Sequence, residues 1–413
     1  MLTRLLVLLF VCVLIEIYCF KAVKTAYPQF LGVYLGFTFC LYVFFLYKIF
    51  TFSPYLGLGK TTLFTSVLFL LFVLPKLLVF GVLFVEDLGR TVQFSWQKIQ
   101  SFFQKEQSSI SGGIPRSVFL SKLALFLTTV PFLSVLYGIT KGKYKYRVIK
   151  KAIDFPELPK AFDGLRILHI SDIHVGSFNQ VEPVKKAIEL INAQEFDLFV
   201  FTGDLVNNLS SEMSSKWVEL FKTIKTPKYG KFSILGNHDY GEYIQFHSAQ
   251  EKQRNFEEIK ALHPKINFNL LLNDSVLIEK DSERIHLIGV ENWGEHFKKL
   301  GNLTKASEKV DPKAFKILLS HDPSHWEKQV QNNEVDYHLT LSGHTHGMQF
   351  GIEIPGFITW SPVKYVYRFW AGLYKSSNRY LYVNRGFGFH GFPGRVGIWP
   401  EITLLEIRSK TTS

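Results

Sequence analysis

Five short groups of acidic, amide and imidazole residues beyond residue 170 contain the side chains that commonly bind metal ions. In chain order the groups are Asp172-Ile173-His174, Gly203-Asp204, Gly236-Asn237-His238-Asp239, Ser320-His321-Asp322 and Gly343-His344-Thr345-His346. Ligands in the first and last groups are two residues apart, and alternate residues of an extended segment point to the same side. Each of these two pairs can therefore face one cavity.

These ligand types predict a site for divalent cations. Carboxylate, amide and imidazole groups without thiolate suit manganese, iron or zinc. Two such ions about 3.5–4 Å apart would neutralise a phosphate ester, activate a water between them and hold the attacking and leaving oxygens. Each group alone also has an ordinary explanation, since Gly-Asp forms turns and Asn-His-Asp can cap a helix. Their joint occurrence favours a metal centre.

Apolar segments that precede the groups predict strands, and amphipathic segments between them predict helices. The predicted strands are Leu165–Ile170, Phe196–Phe201, Lys231–Leu235, Arg284–Val290, Phe315–Leu319 and Tyr337–Leu341. The predicted helices are Val184–Asn192, Ser211–Ile224 and Glu251–Leu262. Alternating strands and helices indicate a layered α/β fold, in which ligands bind beyond the carboxyl ends of the strands.

The first part of the chain is predicted to lie in a membrane. Four stretches approach the roughly 20 apolar residues that a spanning helix needs: Leu5–Phe20, Phe30–Phe50, Leu63–Val85 and Val118–Ile139. The first stretch is short and contains Glu16, so a signal peptide is an alternative, but further spans follow and a retained helix is preferred. We expect a membrane region of about four transmembrane helices over 1–151 and a second domain over 152–413.

Net charge and cysteine content limit the classes of partner and the kinds of site that the chain can have. The net charge of +12 fits nucleic acid or an anionic membrane, and the long apolar runs favour the membrane, with no specific nucleic acid. All three cysteines lie in the apolar region, which argues against a disulfide framework, a thiolate zinc site and a cysteine nucleophile. A basic cluster over 141–151 favours a cytoplasmic second domain, but basic residues before the fourth stretch compete with it.

The five groups together resemble the motifs of the calcineurin-like metallophosphoesterase superfamily, from about Leu165 to the C-terminus. The resemblance implies a β-sandwich flanked by helices, with a dinuclear metal site at one edge. It implies that one ion is bound by Asp172, His174 and His346. It implies that the other is bound by Asn237, His321 and His344. Asp204 would bridge the two ions, and His238, oriented by Asp239, would protonate the leaving oxygen, a role that suits a His beside an Asp.

A narrower resemblance links Leu165–Ser177, Gly343–Phe350 and Asn384–Ile402 to the membrane-associated branch of that superfamily. Members of the branch often carry a twin-arginine export signal. Gly113–Leu120 is similar to such a signal, but Ser117 stands where the second arginine would be. This resemblance slightly favours a catalytic domain outside the cytoplasm. Some similar proteins hydrolyse UDP-2,3-diacylglucosamine, which makes a lipid-linked pyrophosphate a candidate substrate.

The sequence therefore predicts a multi-pass membrane phosphoesterase that hydrolyses a phosphodiester or pyrophosphate with a metal-activated water and a histidine acid. The alternatives are a phosphomonoesterase, a nuclease and a non-catalytic membrane sensor. Arg385 and Arg395 are candidate phosphate-binding residues, because arginine binds phosphate with two parallel hydrogen bonds, but a structural role of this glycine-rich stretch is the favoured alternative. Aromatic and basic residues alternate over 350–382, which fits either a lipid-contacting surface or packing on the domain.

Overall fold

The computed structural model describes residues 2–51, 60–101, 116–354 and 356–410. The first three residues of the export-signal-like stretch, 113–115, lie outside these ranges. The described chain divides into two compact units. We call the unit that ends at Tyr137 the helical unit and the unit that begins at Gly138 the sandwich unit.

In the described ranges the helical unit contains six α-helices, the last of which continues past Tyr137. They are α1 (Leu2–Ala26), α2 (Leu31–Phe50), α3 (Lys60–Phe72), α4 (Lys76–Ser101), α5 (Arg116–Leu127) and α6 (Thr129–Thr140). Among the described residues, three segments are long and apolar enough to cross a membrane: Pro28–Phe50, Leu63–Gln100 and Ser117–Thr140. The expected total of about four spans, with α1 as the first, stays a prediction.

A polar cluster lies among the apolar helices of this unit. The Lys76 ammonium at the start of α4 donates to the Glu16 carboxylate in α1 at 2.6 Å. The hydroxyls of Tyr34 and Tyr42 in α2 donate to the same carboxylate. Apolar side chains of α1, α4 and α5 pack beside this cluster, among them Ile15, Cys19, Val79 and Ala124. The pair of opposite charges therefore links helices that are otherwise held by apolar contacts.

The sandwich unit contains fourteen strands in the part of the chain that the structure describes. They are β1 (Arg147–Phe155), β2 (Leu165–Ile170), β3 (Leu198–Phe201), β4 (Lys231–Ser233), β5 (Asn269–Leu270), β6 (Asp274–Lys280), β7 (Glu283–Gly289), β8 (Phe315–Leu319), β9 (Leu339–Ser342), β10 (Ile352–Ile354), β11 (Ile358–Trp360), β12 (Gly372–Ser376), β13 (Arg379–Val383) and β14 (Glu401–Ser409). Two six-stranded sheets form, in the orders β1-β14-β2-β3-β4-β5 and β12-β13-β9-β8-β7-β6, and β10 pairs with β11 alone.

Alternation along the strands explains how the layers form. Leu198 and Val200 in β3 join the core between the two sheets, whereas Phe199 and Phe201 face the helices on the outer side. These outer helices are α7 (Val181–Asn192), α8 (Ser215–Lys222) and α9 (Ala249–Lys265). The second sheet is covered by α10 (Leu303–Ala306) and by the segment that follows α11 (Pro323–His325). The unit is a β-sandwich flanked by helices, which confirms the predicted fold class.

The first strand of the sandwich unit includes residues on both sides of residue 151, and the domain boundary at that position stays a prediction. The basic segment Arg147–Lys151 belongs to β1, which pairs in parallel with β14 along its whole length. The basic cluster over 141–151, which by charge favours a cytoplasmic second domain, is thus partly an edge strand of the first sheet. The side of the membrane on which this unit lies stays a prediction.

Candidate metal centre

All five groups of predicted ligands lie at strand ends, and several have an uncommon backbone conformation. β2, β3 and β4 are parallel neighbours in one sheet, and β8 and β9 are parallel neighbours in the other. Five of the seven predicted ligands have positive φ, namely Asp172 (54°), His174 (47°), Asp204 (59°), His344 (71°) and His346 (49°). Left-handed backbone at non-glycine residues is uncommon and concentrates at functional sites. The chain therefore holds these side chains in conformations that an ordinary turn does not require.

Two glycines allow the strand ends to approach each other. A Cβ atom at Gly343 would overlap Ser171 Oγ and Asp172 Oδ2. A Cβ atom at Gly236 would overlap Asp204 Oδ1. The glycines before His344 and before Asn237 are thus required by close packing, which explains why the motifs begin with this residue.

The first cluster consists of Asp172, His174 and His346, all of them buried. His346 Nε2 lies 3.2 Å from Asp172 Oδ1 and 3.1 Å from His174 Nε2. Three potential ligand atoms thus converge within the reach of one ion. This is the set that the resemblance assigned to one metal.

The second cluster consists of Asp204, Asn237, His321 and His344. Asn237 Oδ1 lies 3.1 Å from His321 Nε2 and 2.8 Å from His344 Nδ1. Asp204 Oδ2 lies 3.2 Å from His321 Nε2 and also 3.4 Å from His174 Nε2 in the first cluster. The Asp204 carboxylate therefore lies between the two clusters, where a bridging ligand would have to be.

Protonation within the clusters follows from burial and from neighbouring charges. Burial lowers the pKa of His174, His344 and His346, which keeps these imidazoles neutral. Burial disfavours an ionised Asp204, but the adjacent His321 outweighs it and holds the pKa of this carboxyl well below its usual value. Burial opposes a charge on His321 as well, but the Asp204 carboxylate raises the pKa of this imidazole to about 10. A cation bound at His321 would have to displace that proton.

The donor set fits divalent cations. Ionised carboxylate and neutral imidazole are the forms in which these residues bind metals. Nitrogen and oxygen donors without sulfur suit manganese, iron or zinc. Asp322 adds a buried carboxylate oxygen, Oδ2, that has no hydrogen-bond partner among the described residues and lies 3.4 Å from His344 Nε2.

Two residues that the sequence did not single out complete the surroundings of His174 and His238. The Asn207 side-chain oxygen lies 3.1 Å from His174 Nδ1 and 3.0 Å from His390 Nδ1. The His390 ring stacks on His174, with ring centroids 4.6 Å apart, and its centroid is 4.3 Å from that of His238. Asn207 could have been suspected, since it follows Asp204 by three residues. His390 had no local signal, because it lies in a glycine-rich loop.

His344 has two further neighbours at its second ring nitrogen. The Tyr367 hydroxyl lies 2.8 Å from His344 Nε2, on the side of the Asp322 carboxylate. Because Nδ1 faces the second cluster, these two residues can fix the orientation of the ring. Such partners of ligand histidines commonly set the tautomer and strengthen metal binding.

Asp239 has a position different from the expected one. Its buried carboxylate accepts four backbone N–H bonds, from Asp204 (2.9 Å), Leu205 (2.9 Å), Val206 (3.3 Å) and Gly236 (2.8 Å). His238 Nδ1 instead donates to the carbonyl of Asn207 at 2.8 Å. Asp239 thus joins the loop after β3 to the loop after β4, and the backbone of Asn207 orients the His238 ring.

The two candidate phosphate-binding arginines are engaged with protein groups. Arg385 donates to the carboxylates of Glu401 at 2.5 Å and Glu353 at 2.7 Å. Arg395 is fully buried and donates to the carbonyls of Arg385, Gly386 and Gly388. Neither guanidinium group lines the cavity beside the metal ligands. The structure brings together the seven predicted ligands and His238. Arg385 lies apart from them, whereas Arg395 Nη2 lies 3.2 Å from His346 Nδ1, on the side of the ring away from the cluster.

A cavity of about 540 Å³ opens beside the two clusters. Its polar lining includes His174, Asp204, Asn237, His238, His344, His346 and His390. Its apolar lining includes Phe297, Met348 and Phe392. The cavity therefore offers imidazole and carboxylate groups on one side and carbon surface on another.

Comparisons with known proteins agree with this geometry. Residues 165–348 match the family model described as calcineurin-like phosphoesterase. Residues 3–143 match the model described as probable calcineurin-like phosphoesterase, transmembrane domain. The second match assigns most of the helical unit to a membrane domain that is associated with this type of enzyme.

Curated relatives support the same assignment. The chain is 31% identical over 260 residues to YkuE, an uncharacterized metallophosphoesterase of Bacillus subtilis, a match that covers 61% of this chain and 82% of the relative. It is 28% identical over 315 residues to a zebrafish (Danio rerio) transmembrane protein with metallophosphoesterase domain, covering 73% of this chain and 65% of the relative. The chain is thus a membrane protein that belongs to the calcineurin-like phosphoesterase family, whose members use divalent metal ions.

Proposed function

We propose that the protein hydrolyses a phosphodiester or pyrophosphate with the help of two divalent metal ions, manganese, iron or zinc. The observation that carries the proposal is the position of the Asp204 carboxylate between the two ligand clusters. Asp172, His174 and His346 would hold one ion, Asn237, His321 and His344 the other, and Asp204 both. Bound there, the pair of ions would supply an activated water and neutralise charge on the phosphate.

His238 is proposed to protonate the leaving oxygen. Its Nδ1 donates to the Asn207 carbonyl, so only Nε2 is available to a substrate. Burial, partly offset by the Asp204 carboxylate, lowers the pKa of His238 to about 4. An anionic phosphate ester in the cavity would raise that pKa again, because a neighbouring negative charge favours the protonated ring. Substrate binding would thus charge the acid that the leaving group needs.

The apolar part of the cavity supports a lipid-linked substrate. Phe297, Met348 and Phe392 line the same space as the ligand histidines. A purely ionic substrate would make no favourable contact with these apolar side chains, whereas an acyl or prenyl chain can be buried against them. We therefore favour a phosphate ester that carries a hydrophobic group.

Hydrolysis by the purified full-length chain tests the proposal. After chelation, the protein is supplied in turn with manganese, zinc and iron and assayed on bis-p-nitrophenyl phosphate, p-nitrophenyl phosphate and a lipid pyrophosphate. We expect metal-dependent turnover of the diester or the pyrophosphate, and its loss in Asp204→Asn. Asp281→Asn is the matched control, since Asp281 is exposed and also has positive φ (48°). Metal binding without turnover on any substrate would instead indicate a sensor.

A further inference from the structure

The β10–β11 hairpin and the segment after it expose a group of large apolar side chains. We call this group the apolar rim and define it as Ile352, Ile354, Phe357, Ile358, Tyr365 and Val366. Phe357 in the hairpin loop is 84% exposed and Tyr365 is 75% exposed. Other aromatic residues of the same segment are packed, since Trp370 joins Val363 and Ile398 in a small core. The segment is therefore anchored on one side and apolar toward solvent on the other.

The pairing of the hairpin separates its two faces. Ile354 pairs with Ile358, and Glu353 pairs with Thr359 on the opposite face. The Glu353 carboxylate is bound by Arg385 at 2.7 Å and by Arg147 at 3.5 Å. Arg385 is held in turn by the buried Glu401. An ion-pair network thus fixes the polar face of the hairpin on the sandwich and leaves the isoleucines exposed.

The exposed charged residues that follow the hairpin in the chain are basic. Between Glu353 and Glu401 the chain contains no acidic residue. Of the basic residues there, Arg379 and Arg385 are paired with carboxylates and Arg395 is buried, and the exposed ones are Lys364, Arg368 and Lys375. Lys364 and Arg368 are exposed and flank Tyr365 and Val366. Exposed aromatic and aliphatic side chains interleaved with lysine and arginine are typical of surfaces that enter the headgroup layer of an anionic membrane.

The apolar rim is connected with the candidate metal centre through its neighbours in the chain. Met348 is 45% exposed and also lines the cavity. The Ser361 hydroxyl donates to the carbonyl of Gly347 at 2.7 Å, which holds the end of β11 against the residues after His346. Tyr367, the residue directly after the rim, contacts His344. A surface that docks on lipid through the rim would bring headgroup phosphates close to the cavity.

We propose that the apolar rim docks on the anionic surface of a lipid bilayer and that the substrate is a phosphate ester of a membrane lipid. The membrane helices of the same chain tether the sandwich unit to a bilayer, which favours lipid over a soluble protein as the occupant. The substrate part of the inference rests on the proposed function. The docking part rests on the rim alone.

Depth measurement tests docking without reference to catalysis. Cys12, Cys19 and Cys40 are replaced by alanine, and a nitroxide is attached to Phe357→Cys in the full chain, reconstituted in vesicles of phosphatidylglycerol and phosphatidylcholine. Leu277→Cys is the matched control, an exposed apolar position in β6 outside the rim. We expect the label at 357 to be accessible to oxygen and protected from a water-soluble nickel complex, whereas the label at 277 is accessible to nickel.

Equal nickel accessibility at both positions would overturn docking. Protection of the 357 label from oxygen and nickel together would overturn it as well, because it would show a protein in contact with the rim, either a second copy or another chain. Replacing phosphatidylglycerol with phosphatidylcholine should reduce the protection, since the basic residues then lose their anionic partner.

Turnover tests the substrate. In Phe357→Ser, hydrolysis of a phosphodiester lipid in vesicles should fall about tenfold, the factor that corresponds to 1.36 kcal/mol of lost docking free energy, and hydrolysis of bis-p-nitrophenyl phosphate should not change. An unchanged ratio of the two rates would overturn the lipid substrate. Absence of both activities from the parent protein would overturn the proposed function and leave the depth measurement to decide docking.

Discussion

Replacement of Asp239 by asparagine distinguishes a structural role of this residue from a role in orienting His238. In the structure, Oδ1 accepts the N–H groups of Leu205 and Val206, and Oδ2 accepts those of Asp204 and Gly236. Asparagine has the same shape, but one oxygen becomes an NH₂ group that can only donate. Two of the four N–H groups would then face a donor.

The expected loss of stability is large. Burial and the neighbouring Asp204 raise the pKa of Asp239 to about 7, so the comparison is made at pH 8, where the carboxylate is ionised. A hydrogen bond to a charged group contributes about 1.5–3 kcal/mol, so the loss of two bonds lowers the free energy of unfolding by about 3–6 kcal/mol. Native domains are stable by only about 5–15 kcal/mol. With a shift of about 2–4 °C per kcal/mol for a large domain, the unfolding temperature should fall by at least about 6 °C.

Thermal unfolding of the detergent-purified protein, followed by circular dichroism, measures this change, and His238→Gln is the control. His238→Gln leaves the Asp239 bonds in place and should slow turnover with little change in unfolding temperature. If Asp239→Asn unfolds at the wild-type temperature and only turnover falls, Asp239 acts on catalysis and the structural reasoning is refuted.

Three further predictions concern the metal centre, acid stability and the hairpin. Chelation should lower the unfolding temperature of the wild-type protein, because Asp172 and Asp204 lose their cations, and should change that of Asp204→Asn much less; equal shifts in both would contradict the bridging role. Burial lowers the pKa of His263 to about 3. Between pH 6.5 and 3, only the unfolded chain therefore takes up a proton at this residue, so the free energy of unfolding decreases as the pH falls, by about 2 kcal/mol at pH 5 relative to pH 7. His263→Phe should reduce, by this amount, the difference between the free energies of unfolding measured with urea at pH 7 and at pH 5. An undiminished difference would show that other residues cause the pH dependence. Glu353→Gln should accelerate hydrogen exchange in β10–β11, whereas Glu279→Gln, which removes an exposed partner of Arg284, should not; similar exchange in both variants would show that the Arg385 pair does not hold the hairpin.

The parts of the fold that could be predicted from sequence are those in which local pattern and burial coincide. β2 and β8 have the predicted bounds, because each is a short apolar run that ends just before a group of predicted metal ligands. The convergence of the predicted metal ligands also followed from sequence, since each motif comes within three residues of the end of a strand. Local order along the chain was enough to place these residues at one edge of the sandwich.

Other features depend on contacts between distant segments. β1 was not predicted, because it is an edge strand whose exposed Lys150 and Lys151 conceal the alternation. His390 enters the site because the amides of Phe387 and Gly388 bond to the carbonyls of Ser171 and Asp172. The role of Asp239 depends on the loop after β3, which no local pattern connects with it.

The Glu16–Lys76 pair in the helical unit has a consequence for biosynthesis. The two residues are separated by 60 positions, so the nascent chain exposes the carboxylate well before its partner is made. A charged side chain in the middle of an apolar helix opposes membrane insertion by about 2.5–3.5 kcal/mol. α1 is therefore expected to enter the bilayer stably only together with α4. In chains truncated before Lys76, α1 should stay at the membrane surface, and such chains should be degraded early. Insertion of α1 would thus depend on a pairing that can form before the hydrolase domain is translated.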